Sequence, residues 1–70
     1  MNSIIQLHDE RATARIISVG VRTLQAWRFR GTGPRYVKIS SRCVRYAAED
    51  LEKFIREKTV QNTAEAQLAK

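Results

Sequence analysis

The chain has 70 residues, enough for one small domain, and carries a net charge of +6 from 13 basic and seven acidic side chains. Its single cysteine and single histidine exclude an intramolecular disulfide and a cysteine-rich zinc site. The sequence contains no apolar run of membrane-spanning length and no secretory signal pattern. We therefore expect a cytoplasmic protein that does not bind a membrane.

The positive charge is concentrated in the middle of the chain. Residues 21–46 contain seven basic side chains and no acidic one, whereas residues 1–20 and 47–70 are close to neutral. A basic block on structured elements is the electrostatic footprint of a protein that binds a polyanion. The alternative is a basic face that serves solubility alone, but solubility does not require acids to be excluded from a third of the chain.

The N-terminal half predicts an arm followed by two short helices. Residues 1–8 form the arm, with a strand through Ile4 and Ile5 as an alternative. Asp9 predicts the N-cap of a first helix over residues 10–17, because its carboxylate can accept a hydrogen bond from a free backbone amide. Ser18, Val19 and Gly20 then predict a tight corner, with Gly20 as the N-cap of the second helix.

The second helix is predicted over residues 21–30, because Val21, Leu24 and Trp27 recur every three residues on one face. Trp27 could instead stack on a nucleotide base, but its spacing favours the core. On the opposite face, arginine can pair with guanine, glutamine with adenine, and small side chains with the thymine methyl group. The predicted DNA-contacting residues of this helix are Arg22, Thr23, Gln25, Ala26, Arg28 and Arg30.

A hairpin follows the glycine-proline segment 31–34, which is expected to end the helix. Residues 36–39 and 43–46 predict two strands around a polar loop. Alternation predicts one inward face comprising Val37, Ile39, Val44 and Tyr46, and an open face comprising Lys38 and Arg45. The predicted backbone-contacting residues are Arg35, Lys38, Ser41, Arg42 and Arg45.

A third helix over residues 48–58 is predicted to close the core through Leu51, Phe54 and Ile55. The predicted core comprises Ala14, Ile17, Val21, Leu24, Trp27, Leu51 and Phe54. Residues 59–70 read as a polar tail, with a short helix from Asn62 to Leu68 as the alternative. The fold class is thus mainly α with a small β-hairpin: a winged helix-turn-helix domain over residues 9–58.

No arrangement of residues in the sequence indicates catalysis. We find no nucleophile with a neighbouring base, no paired carboxylates on an apolar face and no phosphate-binding glycine loop. We therefore expect no enzymatic activity, no cofactor and no metal. Cys43 reads as a small strand residue, with a redox role as the alternative.

The run VGVRTLQAWRFRGTGPRYVKISSRCVRYAAEDLEKF resembles the small winged helix-turn-helix proteins of the excisionase and AlpA-like group, which are related to the DNA-binding domain of the MerR family. The resemblance covers about residues 8–62. Its most specific parts are Arg22-Thr23-Leu24 with Trp27, the segment 31–34, Val44-Arg45-Tyr46 and Asp50-Leu51. The chain departs from the family at the corner, where glycine is common in place of Ser18 and serine in place of Gly20.

The resemblance implies a recombination directionality factor that binds and bends attachment-site DNA, so that a partner integrase excises rather than integrates, and that can regulate transcription as well. It also implies that the second helix enters the major groove, that the hairpin contacts the minor groove or backbone, and that copies associate head to tail on DNA. The long C-terminal helix of MerR activators is absent, so no small-molecule ligand is expected. The alternatives are a transcriptional regulator without a recombination role and, less favoured, a protein-interaction module such as an antitoxin or adapter.

Overall fold

The structure, a computed structural model, describes residues 4–61. Its elements are β1 (Leu7–His8), α1 (Glu10–Ile16), α2 (Val21–Arg30), β2 (Val37–Ser40), β3 (Cys43–Ala47) and α3 (Ala48–Lys58). The predicted helices are confirmed, with α1 ending one residue earlier than expected. The alternative of a short helix in the tail lies outside the described residues.

The strands form one three-stranded antiparallel sheet in the order β1-β3-β2. Leu7 pairs with Ala47 and His8 with Tyr46, and the backbone N–H of Ala48 donates to the carbonyl of Gln6 at 2.9 Å. The alternative that placed a strand at Ile4 and Ile5 is therefore wrong, because the arm pairs with β3 only further along the chain. The domain is mixed α and β, with one more strand than the predicted hairpin.

The core lies between the helices and β3. Ala14, Leu24, Tyr46 and Leu51 form its buried centre. Phe54 lies at the edge of the core with its ring centroid 5.8 Å from that of Trp27. The other partly buried apolar side chains around this centre are Ile17, Val19, Val21, Trp27 and Val44. The predicted core is thus confirmed as a set of contacting residues, whereas Ile55 was wrongly placed there and is 44% exposed.

The register of the hairpin overturns the predicted division of its two faces. Val37 pairs with Arg45 and Lys38 with Val44, and directly paired residues of antiparallel strands share a face. Lys38 therefore shares the face of Val44, whereas Val37 shares that of Arg45. The predicted inward positions of Val37 and Ile39 are wrong: they are 37% and 56% exposed.

Capping and backbone conformation explain how α1 begins, how the corner is built and how α2 ends. The Asp9 carboxylate accepts a hydrogen bond from the Ala12 amide at 2.8 Å, which confirms the first N-cap. Ser18 has a φ of 59°, the left-handed region that non-glycine residues rarely occupy, whereas Gly20 has an ordinary φ of −74° at the N-cap of α2. Gly31 ends α2 with a φ of 77°, as predicted.

Candidate nucleic-acid interface

The outer side of α2 presents most of the predicted base-contacting residues to solvent. Arg22, Thr23, Gln25 and Arg30 are exposed, and Ala26 is partly buried. On the opposite side Leu24 is fully buried, and Val21 and Trp27 pack against the core one turn before and after it. A shallow depression over the outer side and the start of the hairpin is lined by Arg22, Gln25, Ala26, Arg28, Phe29 and Tyr36.

Arg28 is turned toward the body of the domain, in contrast to the outward position predicted for it. Its Nη1 donates to the Tyr46 hydroxyl at 3.0 Å and to Glu10 Oε1 at 3.4 Å, and its guanidinium lies 5.8 Å from the ring centroid of Tyr36. The hydrogen bond to Tyr46 raises the pKa of Arg28 above its ordinary value, against the opposing effect of burial. Arg28 therefore stays charged and ties α2 to α1 and β3.

Glu10 is a residue whose role the sequence analysis missed. Besides its contact with Arg28, its Oε2 accepts a hydrogen bond from Gln25 Nε2 at 2.9 Å. The Glu10 carboxylate, in the first turn of α1, thus bonds both to Arg28 and to the exposed Gln25 of α2. We call the contacts of Arg28 with Glu10 and Tyr46 the clamp. The partners of Glu10 lie 15 and 18 positions away, and no local pattern signals a contact at that separation.

The hairpin brings part of the predicted backbone-contacting set together. Ser41, Arg42 and Arg45 line a second depression, which is also lined by Arg11 and Arg28 and by the carboxylates of Asp9 and Glu10. Arg45 Nη1 donates to the carbonyl of Val44 at 2.8 Å, so its guanidinium lies across the strand. The Glu10 carboxylate is paired with Arg28 and that of Asp9 caps α1, so Arg11, Arg42 and the Ser41 hydroxyl are the groups left to suit a backbone phosphate.

Three predicted basic residues lie apart from both depressions. Arg30 and Lys38 are exposed but line neither of them. Arg35 lines a different surface beside Asp50, Lys53 and Glu57 of α3, where the two carboxylates balance the two basic side chains. The candidate interface therefore divides into an α2 part and a hairpin part, and the partly buried Arg28 lines both depressions.

Phe29 is the second residue that the sequence analysis left without a role. Its side chain is 93% exposed and lines the α2 depression. The signal was present in the sequence, since Phe29 falls outside the three-residue spacing of Val21, Leu24 and Trp27.

Within residues 4–61, no group of three or more histidine, cysteine, aspartate or glutamate side chains is placed to hold a metal ion. Over the same residues, no helix combines the length and apolar character that crossing a membrane requires. Comparison of the chain with protein-family models, curated proteins and solved structures gives no match.

Proposed function

We propose that this chain is a sequence-specific double-stranded DNA-binding protein with a winged helix-turn-helix fold, in which α2 enters the major groove. The observation that carries the proposal is the division of α2 into two sides: Leu24 and Trp27 pack inward, while Arg22 and Gln25 stand exposed on the other side. Arginine and glutamine are the side chains that pair bidentately with guanine and adenine in that groove.

The surrounding charge supports the same partner. All seven ionised side chains in residues 21–46 are basic, and Arg28, the most enclosed of those on α2, has its charge satisfied within the domain. The remaining exposed arginines are available to phosphates. Phosphate contacts of this kind supply the sequence-independent part of affinity and make it depend on salt concentration.

The β2–β3 hairpin acts as the wing. Ser41 and Arg42 at its tip, together with Arg45, contact the backbone or the minor groove beside the major groove that α2 occupies. Their contacts position the domain on the duplex without reading its sequence. In this proposal Arg30, Lys38 and Arg35 make outer contacts or none, as their separate positions suggest.

The biological role that we propose is that of an excisionase: the chain binds and bends attachment-site DNA and directs a partner integrase toward excision. The resemblance of residues 8–62 to the excisionase and AlpA-like group supports this role. A single module of this size buries about 600–1,000 Å² on DNA, so tight binding requires several copies on one site.

Two apolar surfaces support association of those copies. One is a groove lined by Ile17, Trp27, Phe54 and Ile55 with Lys58 at its edge. The other is a patch of Ile4, Ile5, Leu7 and Val37 beside Glu49 and Asp50. The two surfaces share no residue and carry opposite charges, which favours a head-to-tail contact over a symmetric one.

The test is an excision assay with attachment-site DNA and the integrase encoded nearest to this gene. Wild-type protein is expected to shift the products toward excision, and Arg22→Ala is expected to lose that shift. Lys53→Ala, which changes an exposed lysine on α3, is the matched control and should behave as wild type. Sequence-specific binding without any change in the ratio of products would contradict the excisionase role and favour a transcriptional regulator.

A further inference from the structure

Phe29 is an aromatic side chain that the fold leaves in water. It is 93% exposed, compared with 42% for Tyr36 at the edge of the same depression. Burying a phenylalanine is among the larger stabilising contributions available to a small domain. At its present position Phe29 contributes almost none of this, so its side chain is free to contact a partner.

Phe29 continues the exposed stripe of α2. Arg22, Gln25, Ala26 and Phe29 are spaced by three or four residues, which places them on one side of the helix. All four line the same depression. From Arg22 to Phe29 the helix rises about 10 Å, the length of about three base pairs. Recognition helices of homeodomains use a stripe of the same seven-residue span.

We propose that Phe29 contacts the C5-methyl group of a thymine in the major groove; the proposal rests on the proposed function. The methyl group is the one apolar group on the major-groove edges of the four bases, and phenylalanine is among the side chains that contact it. Phe29 has no hydrogen-bonding group and cannot read the polar edges that Arg22 and Gln25 suit. It therefore adds a thymine to the recognised sequence, beside the purines read by the polar residues.

The experiment separates the methyl group from the rest of the base. Binding sites are selected with wild-type protein from a randomised duplex pool, and each thymine of the selected duplex is replaced in turn by deoxyuridine. One methyl group is worth about 0.8 kcal/mol on burial, or about four-fold in Kd. Wild-type protein is expected to lose about four-fold at one thymine position of each bound copy.

The variant Phe29→Ala should bind the thymine duplex about four-fold more weakly and should not distinguish it from the deoxyuridine duplex. Phe29→Leu, which keeps an apolar side chain, should retain part of the discrimination. Val60→Ala removes a different exposed apolar side chain, beyond the end of α3, and should show the wild-type response. Because Phe29 is exposed, the Tm of Phe29→Ala should match that of wild type, which shows that folding is intact.

Equal losses on deoxyuridine DNA for wild type and Phe29→Ala would overturn the inference. A Phe29→Ala variant that differs only in DNA bending, or only in self-association without DNA, would also overturn it, since Phe29 would then be a wedge or a protein contact. If wild type selects no sequence at all, the proposed function fails as well. If wild type selects a sequence but the effect of the methyl group does not depend on Phe29, only the Phe29 inference fails and the proposed function stands.

Discussion

The inner and outer sides of α2 differ in the contacts that their side chains make. On the inner side, Leu24 is fully buried, Trp27 lies against Phe54 with the two rings tilted, and Arg28 donates hydrogen bonds to Tyr46 and Glu10. On the outer side, Arg22 and Phe29 project into solvent. The inner residues should determine whether the domain folds, and the outer residues should determine which DNA it binds. Under the proposed function, one short helix thus separates stability from recognition.

The largest effect is expected at Leu24. Leu24→Ala leaves a cavity at the centre of the core and should lower the free energy of unfolding by about 2–5 kcal/mol. Thr23→Ala changes the exposed neighbour and should alter stability by less than about 0.5 kcal/mol. Urea denaturation followed by circular dichroism measures both. Similar losses for the two variants would contradict the assignment of the two sides.

The next effect concerns two glycines that follow the helix. Gly31 and Gly33 both have a positive φ, of 77° and 82°. An added Cβ at Gly33 would lie 2.9 Å from the Cβ of Trp27, whereas one at Gly31 would meet no atom within 4 Å. Gly31→Ala should cost about 1–2 kcal/mol from the left-handed conformation alone.

Gly33→Ala should cost more than Gly31→Ala by at least about 1 kcal/mol, because Trp27 must also move. The comparison of the two Tm values cancels the shared conformational cost. Equal values would show that Trp27 is not held firmly against the segment that follows α2.

A smaller loss of stability is expected on breaking the clamp. Tyr46→Phe removes the hydroxyl that accepts the hydrogen bond from Arg28 and should cost about 1 kcal/mol, with sequence preference unchanged. Thermal denaturation and binding to the selected duplex measure the two quantities. If Tyr46→Phe instead relaxes the preference for the selected sequence without lowering stability, then Arg28 contacts a base, as predicted from the sequence.

The smallest change is a gain in stability at the corner. Ser18→Gly relieves a left-handed conformation and should stabilise the domain by about 0.5–1 kcal/mol. Gly20→Ser supplies an N-cap side chain at a position with room for a Cβ and should add a few tenths of a kcal/mol, by about the difference between serine and glycine caps. A Tm below that of wild type for Ser18→Gly would show that Ser18 is not strained.

Helix positions were readable from the sequence because their signals are local. The cap at Asp9, the three-residue spacing through Leu24 and the stop at Gly31 each act within one or two turns. The bounds of α2 and α3 match the prediction to the residue. The burial of Ala14, Leu24 and Leu51 follows from the same periodicity.

The sheet and the clamp were not readable in the same way, because they depend on pairing between distant residues. Alternation within β2 and β3 gave two faces for each strand, but the register that joins Lys38 to Val44 decides which faces coincide. Arg28 is turned inward by Tyr46 and Glu10, each 18 positions away in the chain, and no local pattern indicates contacts at that separation. The predicted orientations of Arg28, Val37 and Ile39 were therefore wrong, and the DNA-contacting role of the site residues stays a prediction.

The measurement that tests the central claim most directly is Kd against salt concentration for the selected duplex and for one with its preferred bases exchanged. The variant Arg22→Ala should lose about 1–3 kcal/mol of binding free energy on the selected duplex and little on the duplex with exchanged bases. Its discrimination between the two sequences should therefore fall. Arg42→Ala should weaken binding to both equally and lower the salt slope by about one unit. Equal loss of discrimination from both variants would contradict the account, because the α2 stripe would not then be the part that reads the sequence.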